Sequence, residues 1–351
     1  MNIKITKTTN PKPIPNPETL PFGTVYTDHM FVMDYADGTW GAPEIVPYAN
    51  LDISPATIVF HYAQSVFEGM KAYRTSDGKI LLFRPEENMK RLLRSCRRMC
   101  IPEFDEQLVL SGLKKLVNLD RGWVPTLDGA SLYIRPFIIA TDPCINVIPS
   151  QTYKLMIICS PCKDYSGGLT PTKIKAEENC VRACLGGTGD VKASANYAVS
   201  LASQATAAKE GCSQVLWLDA KEHKYIEEVG AMNVFFVVDG KVVTPELTGS
   251  ILPGVTRASA ITILRDMGYE VVETKLSIDD CVNNIKSSAL SEAFGTGTAV
   301  VVSPISAIRY RGVDYEIGSQ VGEVARKLYD KLTGIQFGKI QDEYNWVVEV
   351  G

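Results

Sequence analysis

The sequence predicts a two-domain α/β protein, on three observations. The chain has 351 residues, long enough for two cores of ordinary size. Its 45% hydrophobic and 22% charged residues have the balance of a soluble globular protein. Strand-like apolar runs are interleaved with helical periodicities, and a Pro/Gly/Ser-rich stretch over 160–171 marks a boundary. The expected division is a smaller α/β domain over 1–165, an interdomain loop over 166–178 and a larger domain over 179–351.

Composition narrows the function. A net charge of -4 supplies no general field for nucleic acid or an acidic membrane, and no apolar run approaches membrane-spanning length. Nine cysteines are an odd number in a long chain whose N-terminal segment has no apolar signal core. The prolines of that segment break the helix of a transit peptide. Reduced thiols and a cytoplasmic location are therefore expected. With His29, His61 and His223 as the only histidines, the Cys159-x-x-Cys162 pair has no partner set for zinc and is left as ordinary thiols or a redox pair.

Taken in order, prolines over 11–22 make an extended lead-in, and short strands are expected over 30–34 and 41–46. The segment from His61 and Tyr62 through Ser65-Val66-Phe67-Glu68-Gly69 brings aromatics to a glycine, then runs into a strand and a turn at Ser76-Asp77-Gly78. Pro85 opens a helix whose apolar stripe is Met89, Leu92, Leu93, Cys96 and Cys100. Arg91, Arg94, Arg97 and Arg98 occupy its other face, solvated or turned inward to an anion. A strand over 132–139 carries Tyr133, Arg135 and Phe137 on one face. A buried guanidinium there demands either a distant carboxylate or a place in a carboxylate-binding pocket.

Beyond the boundary, Gly186-Gly187-Thr188-Gly189-Asp190-Val191-Lys192 sets a lysine after a glycine-rich turn and before a helix expected over 193–208. The flanks of Lys192, Val191 and Ala193, break the phosphate-loop pattern, and the dinucleotide fingerprint lacks its third glycine. What remains is a surface turn or a lysine that uses its amine, for which desolvation or a nearby cation is required. A strand over 214–218 precedes Glu227-Glu228-Val229-Gly230, where alternation lets only one carboxylate point inward. Gly254-Val255-Thr256 begins a helix ending at Gly268 and offers backbone donors to phosphate. Phe294-Gly295-Thr296-Gly297-Thr298-Ala299 forms a second such turn.

A Schiff-base lysine, an acidic partner for a ring nitrogen and a phosphate cup are together the needs of pyridoxal phosphate. On these motifs, in this order, the chain from about Phe22 onward resembles the branched-chain amino acid aminotransferases, fold-type IV pyridoxal phosphate enzymes, in their form with an N-terminal extension. The resemblance implies the D-amino acid aminotransferase-like architecture, with the cofactor between the two domains. Lys192 then forms the Schiff base and shuttles the proton, Glu228 meets the pyridine nitrogen and Tyr197 the ring oxygen. Arg91, Val255, Thr256 and Thr298 hold the phosphate. Tyr62 and Phe67 wall the side-chain pocket, Tyr133 and Arg135 handle carboxylates, and Thr298 with Ala299 completes the substrate side. No metal is implied.

The implied reaction is a reversible ping-pong transfer from L-leucine, L-isoleucine or L-valine to 2-oxoglutarate, carried out by a homodimer. Ala231 stands where some members have threonine. Val300 and Ser303 stand where mammalian members carry a redox thiol pair, so that switch is not expected. A D-amino acid aminotransferase or aminodeoxychorismate lyase would share Lys192, Glu228 and Arg91, but not Tyr133-Ile134-Arg135-Pro136 with Ser65-Val66-Phe67-Glu68-Gly69. A phosphate-ligand binding protein would have no use for Lys192, Tyr197 and Glu228 together.

Overall fold

The computed structural model describes residues 3–19, 22–163 and 169–351. The predicted boundary at Tyr165 and the start of the predicted loop, 166–168, lie outside the described residues. The chain divides into two units, one of Met1–Tyr165, Lys192–Ala195 and Gly334–Gly351, the other of Ser166–Val191 and Asn196–Thr333. This corrects the sequence-based division in three places. The C-terminal segment belongs to the first unit, which is therefore not the smaller, and so does Lys192. Residues Thr172–Ala176, expected in a loop, form a strand. Ile174 and Ala176 are buried there, while Lys173 and Lys175 pair with Asp314 and Glu210. Their charges, with Pro171 ahead of them, gave the strand the appearance of a linker.

In the first unit the main sheet runs in the order Lys4–Ile5, Glu44–Pro47, His29–Ala36, Tyr153–Cys162, Ser131–Ala140, Met70–Arg74, Ile80–Phe83, Val347–Glu349. Alternation in Ser131–Ala140 is as the sequence suggests. Leu132, Ile134 and Ile138 are fully buried and share a core with Met89, Leu92 and Cys96 of the helix Pro85–Arg98 and with Val109, Leu113 and Leu116 of the helix Glu106–Leu119. Each such side chain stabilises the unit by roughly 1.5–3 kcal/mol. Asp105 starts the second helix by accepting from the Leu108 N–H at 3.0 Å. The other face of the strand is left to Tyr133, Arg135 and Phe137. Cys100 does not join the apolar stripe: the helix stops at Arg98, and Cys100, at φ 55°, is exposed. The segment near Ile58 is a short helix, Ile58–Tyr62.

The second unit is built on a ring of strands. Ile226–Val229, Gln214–Leu218, Thr172–Ala176, Val301–Tyr310, Leu290–Gly297 and Met232–Val238 pair in turn, and the last pairs again with the first. Closure leaves these strands no open edge. Lys241–Thr244 and Val271–Glu273 extend from it. Asp239 and Gly240, at φ 47° and 76°, make the tight hairpin that the Asp-Gly pair predicts. The expected 193–208 helix is broken into Ala195–Ala198 and Leu201–Lys209. At the break the Ser200 hydroxyl donates to the Tyr197 carbonyl at 2.7 Å, a local bond that competes with the helical ladder. Phe294 to Gly297 belong to the strand Leu290–Gly297, so the predicted turn begins only at Thr298.

Candidate active site

In the first unit, the stretch around Lys192 lies along the short strand Ser65–Phe67. The Phe67 N–H donates to the Lys192 carbonyl at 3.1 Å, the Ser194 N–H to the Ser65 carbonyl at 3.1 Å, and Ala193 bridges Val66. The Lys192 N–H donates to Ser95 Oγ at 3.0 Å, and that hydroxyl donates to the Arg91 carbonyl at 2.9 Å. The backbone of Lys192 is thus fixed from two sides. Its side chain is half-buried, with Nζ 5.1 Å from the centre of the Phe67 ring.

The ring of Phe67 has a second cation beside it, Arg135 Cζ at 4.6 Å. The guanidinium donates to the Tyr133 hydroxyl at 2.9 Å. Tyr133 in turn packs edge-on against Phe22, ring centres 4.9 Å apart. Its hydroxyl sits where Gly69 leaves room: a Cβ on Gly69 would lie 2.1 Å from that oxygen. Of the two readings of Arg135, a distant carboxylate is ruled out among the described residues. Arg135 makes no ion pair there, and its Nε is buried without a hydrogen-bond partner. A buried donor left open is costly, and an incoming carboxylate would satisfy it.

Arg91 is inward rather than solvated. Its Nε and Nη2 donate to the two oxygens of Glu68 at 2.7 and 2.9 Å, and Asn88 Nδ2 adds a third donor at 2.8 Å. Glu68 is completely buried. Burial alone pushes its carboxyl up, but the Arg91 charge and hydrogen bonds, the Lys192 ammonium and the Asn88 amide together hold it below the usual carboxylate range. Sequence reasoning assigns no role to either Glu68 or Ser95. A lone acid among Val66, Phe67 and Gly69 was the signal for Glu68. Tyr62 ends the helix Ile58–Tyr62 and donates its hydroxyl to the Ile145 carbonyl at 2.5 Å.

The second unit carries the other predicted residues. Glu228 is buried on the strand Ile226–Val229, paired through Oε2 with Arg182 Nε at 3.0 Å, while Oε1 accepts from the Leu252 N–H at 2.8 Å. Arg182, which sequence reasoning missed, also donates to the Gly189 carbonyl at 3.1 Å. Glu227 is buried too, contrary to the one-inward expectation. Alternation is interrupted between them: Val229 pairs with Leu216 and Ile226 with Leu218, so the strand carries an extra residue at Glu227 and Glu228. Asn196 Nδ2 donates to the Thr188 and Val191 carbonyls at 2.7 and 2.9 Å, fixing the glycine turn, and Tyr197 follows it, half-buried. Val255 and Thr256 open the helix Val255–Asp266, whose cap is Gly254 with no side-chain acceptor. Its first amides are therefore oriented as an anion site. Thr298 and Ala299 lie in the turn after Leu290–Gly297, half-buried.

The thiols have no such setting. None of the nine cysteines is in a disulfide. Cys159 and Cys162 are buried in the strand Tyr153–Cys162, and burial pushes the Cys159 thiol well up, away from the reactive thiolate.

The class of protein follows from comparison with known families: the amino-transferase class IV family matches residues 65–308. "Branched-chain-amino-acid aminotransferase 2" of Bacillus subtilis (strain 168) is 52% identical over 351 residues, covering 99% of this chain and 97% of that one. "Branched-chain-amino-acid transaminase 1" of the same organism is 51% identical over 348 residues, 98% of each. Among solved structures, the branched-chain amino acid aminotransferase of Escherichia coli has a TM-score of 0.76 at 25% identity, covering 92% of this chain and 99% of that one. The T.th. branched-chain amino acid aminotransferase with pyridoxamine 5'-phosphate has a TM-score of 0.76 at 27% identity, covering 91% of this chain and 98% of that one. The chain belongs to the branched-chain amino acid aminotransferases of class IV, and it is an enzyme of that activity.

Proposed function

We propose that the chain uses pyridoxal phosphate to move the amino group of L-leucine, L-isoleucine or L-valine to 2-oxoglutarate, reversibly and in two half-reactions. The observation that carries the acceptor is Arg135, a guanidinium with a buried open donor beside the apolar ring of Phe67, which Lys192 also flanks. An aliphatic side chain is accepted by the Phe67 wall, and the distal carboxylate of 2-oxoglutarate by Arg135. One pocket thereby serves two unlike substrates.

The residues fit the cofactor on the chemistry they present. An amine on a fixed backbone, a buried carboxylate held by Arg182 and the Leu252 amide, and a helix start capped by glycine are the groups it needs. Bound there, pyridoxal phosphate supplies an electron sink and carries the amino group between half-reactions. Lys192 Nζ holds it and moves the proton taken from the substrate Cα. Glu228 keeps a proton on the ring nitrogen, and Tyr197 donates to the ring oxygen. Arg91, oriented by Glu68, binds the phosphate with the Val255 and Thr256 amides and Thr298. Tyr133 holds Arg135 in place.

A homodimer is also proposed. Phe60, Ile145, Val147 and Ile148 expose 60, 68, 78 and 47% of their surface in the first unit, apolar area that association with a second copy would cover. Sedimentation should give the dimer mass, and Val147→Asp should shift it toward monomer.

The test of the reaction is the visible absorption of the protein supplied with pyridoxal phosphate. L-leucine should bleach the yellow band and 2-oxoglutarate restore it. Bleaching by D-alanine and not by L-leucine would sink the substrate assignment.

A further inference from the structure

We propose that the second unit carries a separate site for small organic cations of the amidinium or ammonium type, seated on Glu227. A cavity of about 420 Å³ opens in that unit and touches none of the residues assigned above to cofactor or substrate. The strand bulges at Glu227 and Glu228, since Val229 pairs with Leu216 and Ile226 with Leu218, and Glu227 lines this cavity. Glu227 is only 6% exposed. One of its oxygens accepts from the Ser250 hydroxyl, while Oε2 is buried and has no hydrogen-bond partner.

The surroundings select the ligand's charge and shape. Asp219, Glu222, Glu227 and Glu246 line the cavity against Lys221 and Lys275, so the lining is net acidic. Asp219 is already committed, since its oxygens accept from four backbone amides of the turn that follows it. Lys275 holds its ammonium over the Tyr225 ring at 5.4 Å. Glu222 is exposed and Glu246 half-buried, which leaves Glu227 as the buried open acceptor. Leu185, Ile226, Pro245 and Ile251 supply apolar walls for the body of the ligand. Burial pushes the Glu227 carboxyl up, and a cation placed on it would restore the ionised form. A planar pair of N–H donors matches a carboxylate edge. The inference rests on the cavity and Glu227 alone and does not depend on the cofactor reading.

The probe is benzamidine, titrated into the holoenzyme by calorimetry and soaked into its crystals. Saturable binding to one site per chain is expected, with the amidinium on Glu227. Glu227→Gln should weaken it roughly tenfold or more, as loss of a charge-assisted bond implies. Ala220→Trp, which sets a bulky ring in the lining and leaves the Glu227 carboxylate in the chain, should abolish it in a protein whose thermal unfolding is unchanged. If Glu227→Gln does not fold, the Ala220→Trp titration decides alone. Absence of saturable heat, binding indifferent to both substitutions, or a cavity filled by a second copy of the chain would each overturn the proposal.

Discussion

At the scale of single residues, half-buried Arg135 and fully buried Glu68 separate two kinds of inward charge. Arg135 has an open donor, so Arg135→Gln should raise the KM for 2-oxoglutarate by roughly ten- to a hundredfold and leave the half-reaction with L-leucine nearly intact, as stopped-flow absorption would show. Glu68 is fully paired, and Glu68→Gln leaves the Arg91 guanidinium buried without its counter-ion, at a cost of about 3–5 kcal/mol. The pH dependence follows from the sign of the shift. The folded carboxyl is held below its unfolded value, so its contribution is complete above the unfolded pKa and is lost as pH falls through the folded one. The gap in urea stability between wild type and Glu68→Gln should therefore be full at neutral pH and shrink below about pH 4. Gly69→Ala should push Tyr133 aside and cost roughly 1–3 kcal/mol, seen as a lowered Tm. The placement of Lys192 after the glycine turn and the burial of Glu228 agree with what their motifs suggest. Arg182 was not, because a single arginine in an irregular segment has no periodicity to mark it as inward.

At the scale of elements, the strands and helices with strong periodicity were legible, and the misses came where local chemistry overrode it. The 193–208 run is rich in alanine and reads as one helix, yet Ser200 bonds back to Tyr197 and divides it. Thr172–Ala176 reads as linker because its half-buried face carries two lysines. Helix ends hold a further test. The helix Glu323–Gln336 is capped from another strand by Glu292, whose oxygens accept from the Val324 and Ala325 N–H groups at 3.0 Å each. Such a cap comes from a residue 32 positions away, so no capping motif in the sequence could announce it. Glu292→Ala should cost about 1 kcal/mol, measurable by thermal unfolding. Gly322→Ala should cost more, because its Cβ would fall 2.0 Å from the Glu292 carboxyl carbon.

At the scale of the whole molecule, the two-core α/β plan was legible in length and patterning, but not the return of the C-terminal segment to the first unit, since long-range strand pairing leaves no local trace. Val347–Glu349 covers the edge of Ile80–Phe83, Trp346 packs on Phe83 with ring centres 5.7 Å apart, and its carbonyl accepts from the Arg84 N–H at 2.7 Å. Removing residues 346–351 uncovers that edge, and a lower aggregation temperature in light scattering is the expected result. The division of the chain has an evolutionary reading as well. The chain passes between units after Tyr165, Val191, Ala195 and Thr333, so no single uninterrupted stretch of gene encodes either unit. A crossover that exchanged residues 1–165 between two related genes would leave behind both the lysine and the closing strand of that unit. Recombination would thus produce chimeras whose fragments had not been selected together, and the two units are bound to diverge as one inherited block.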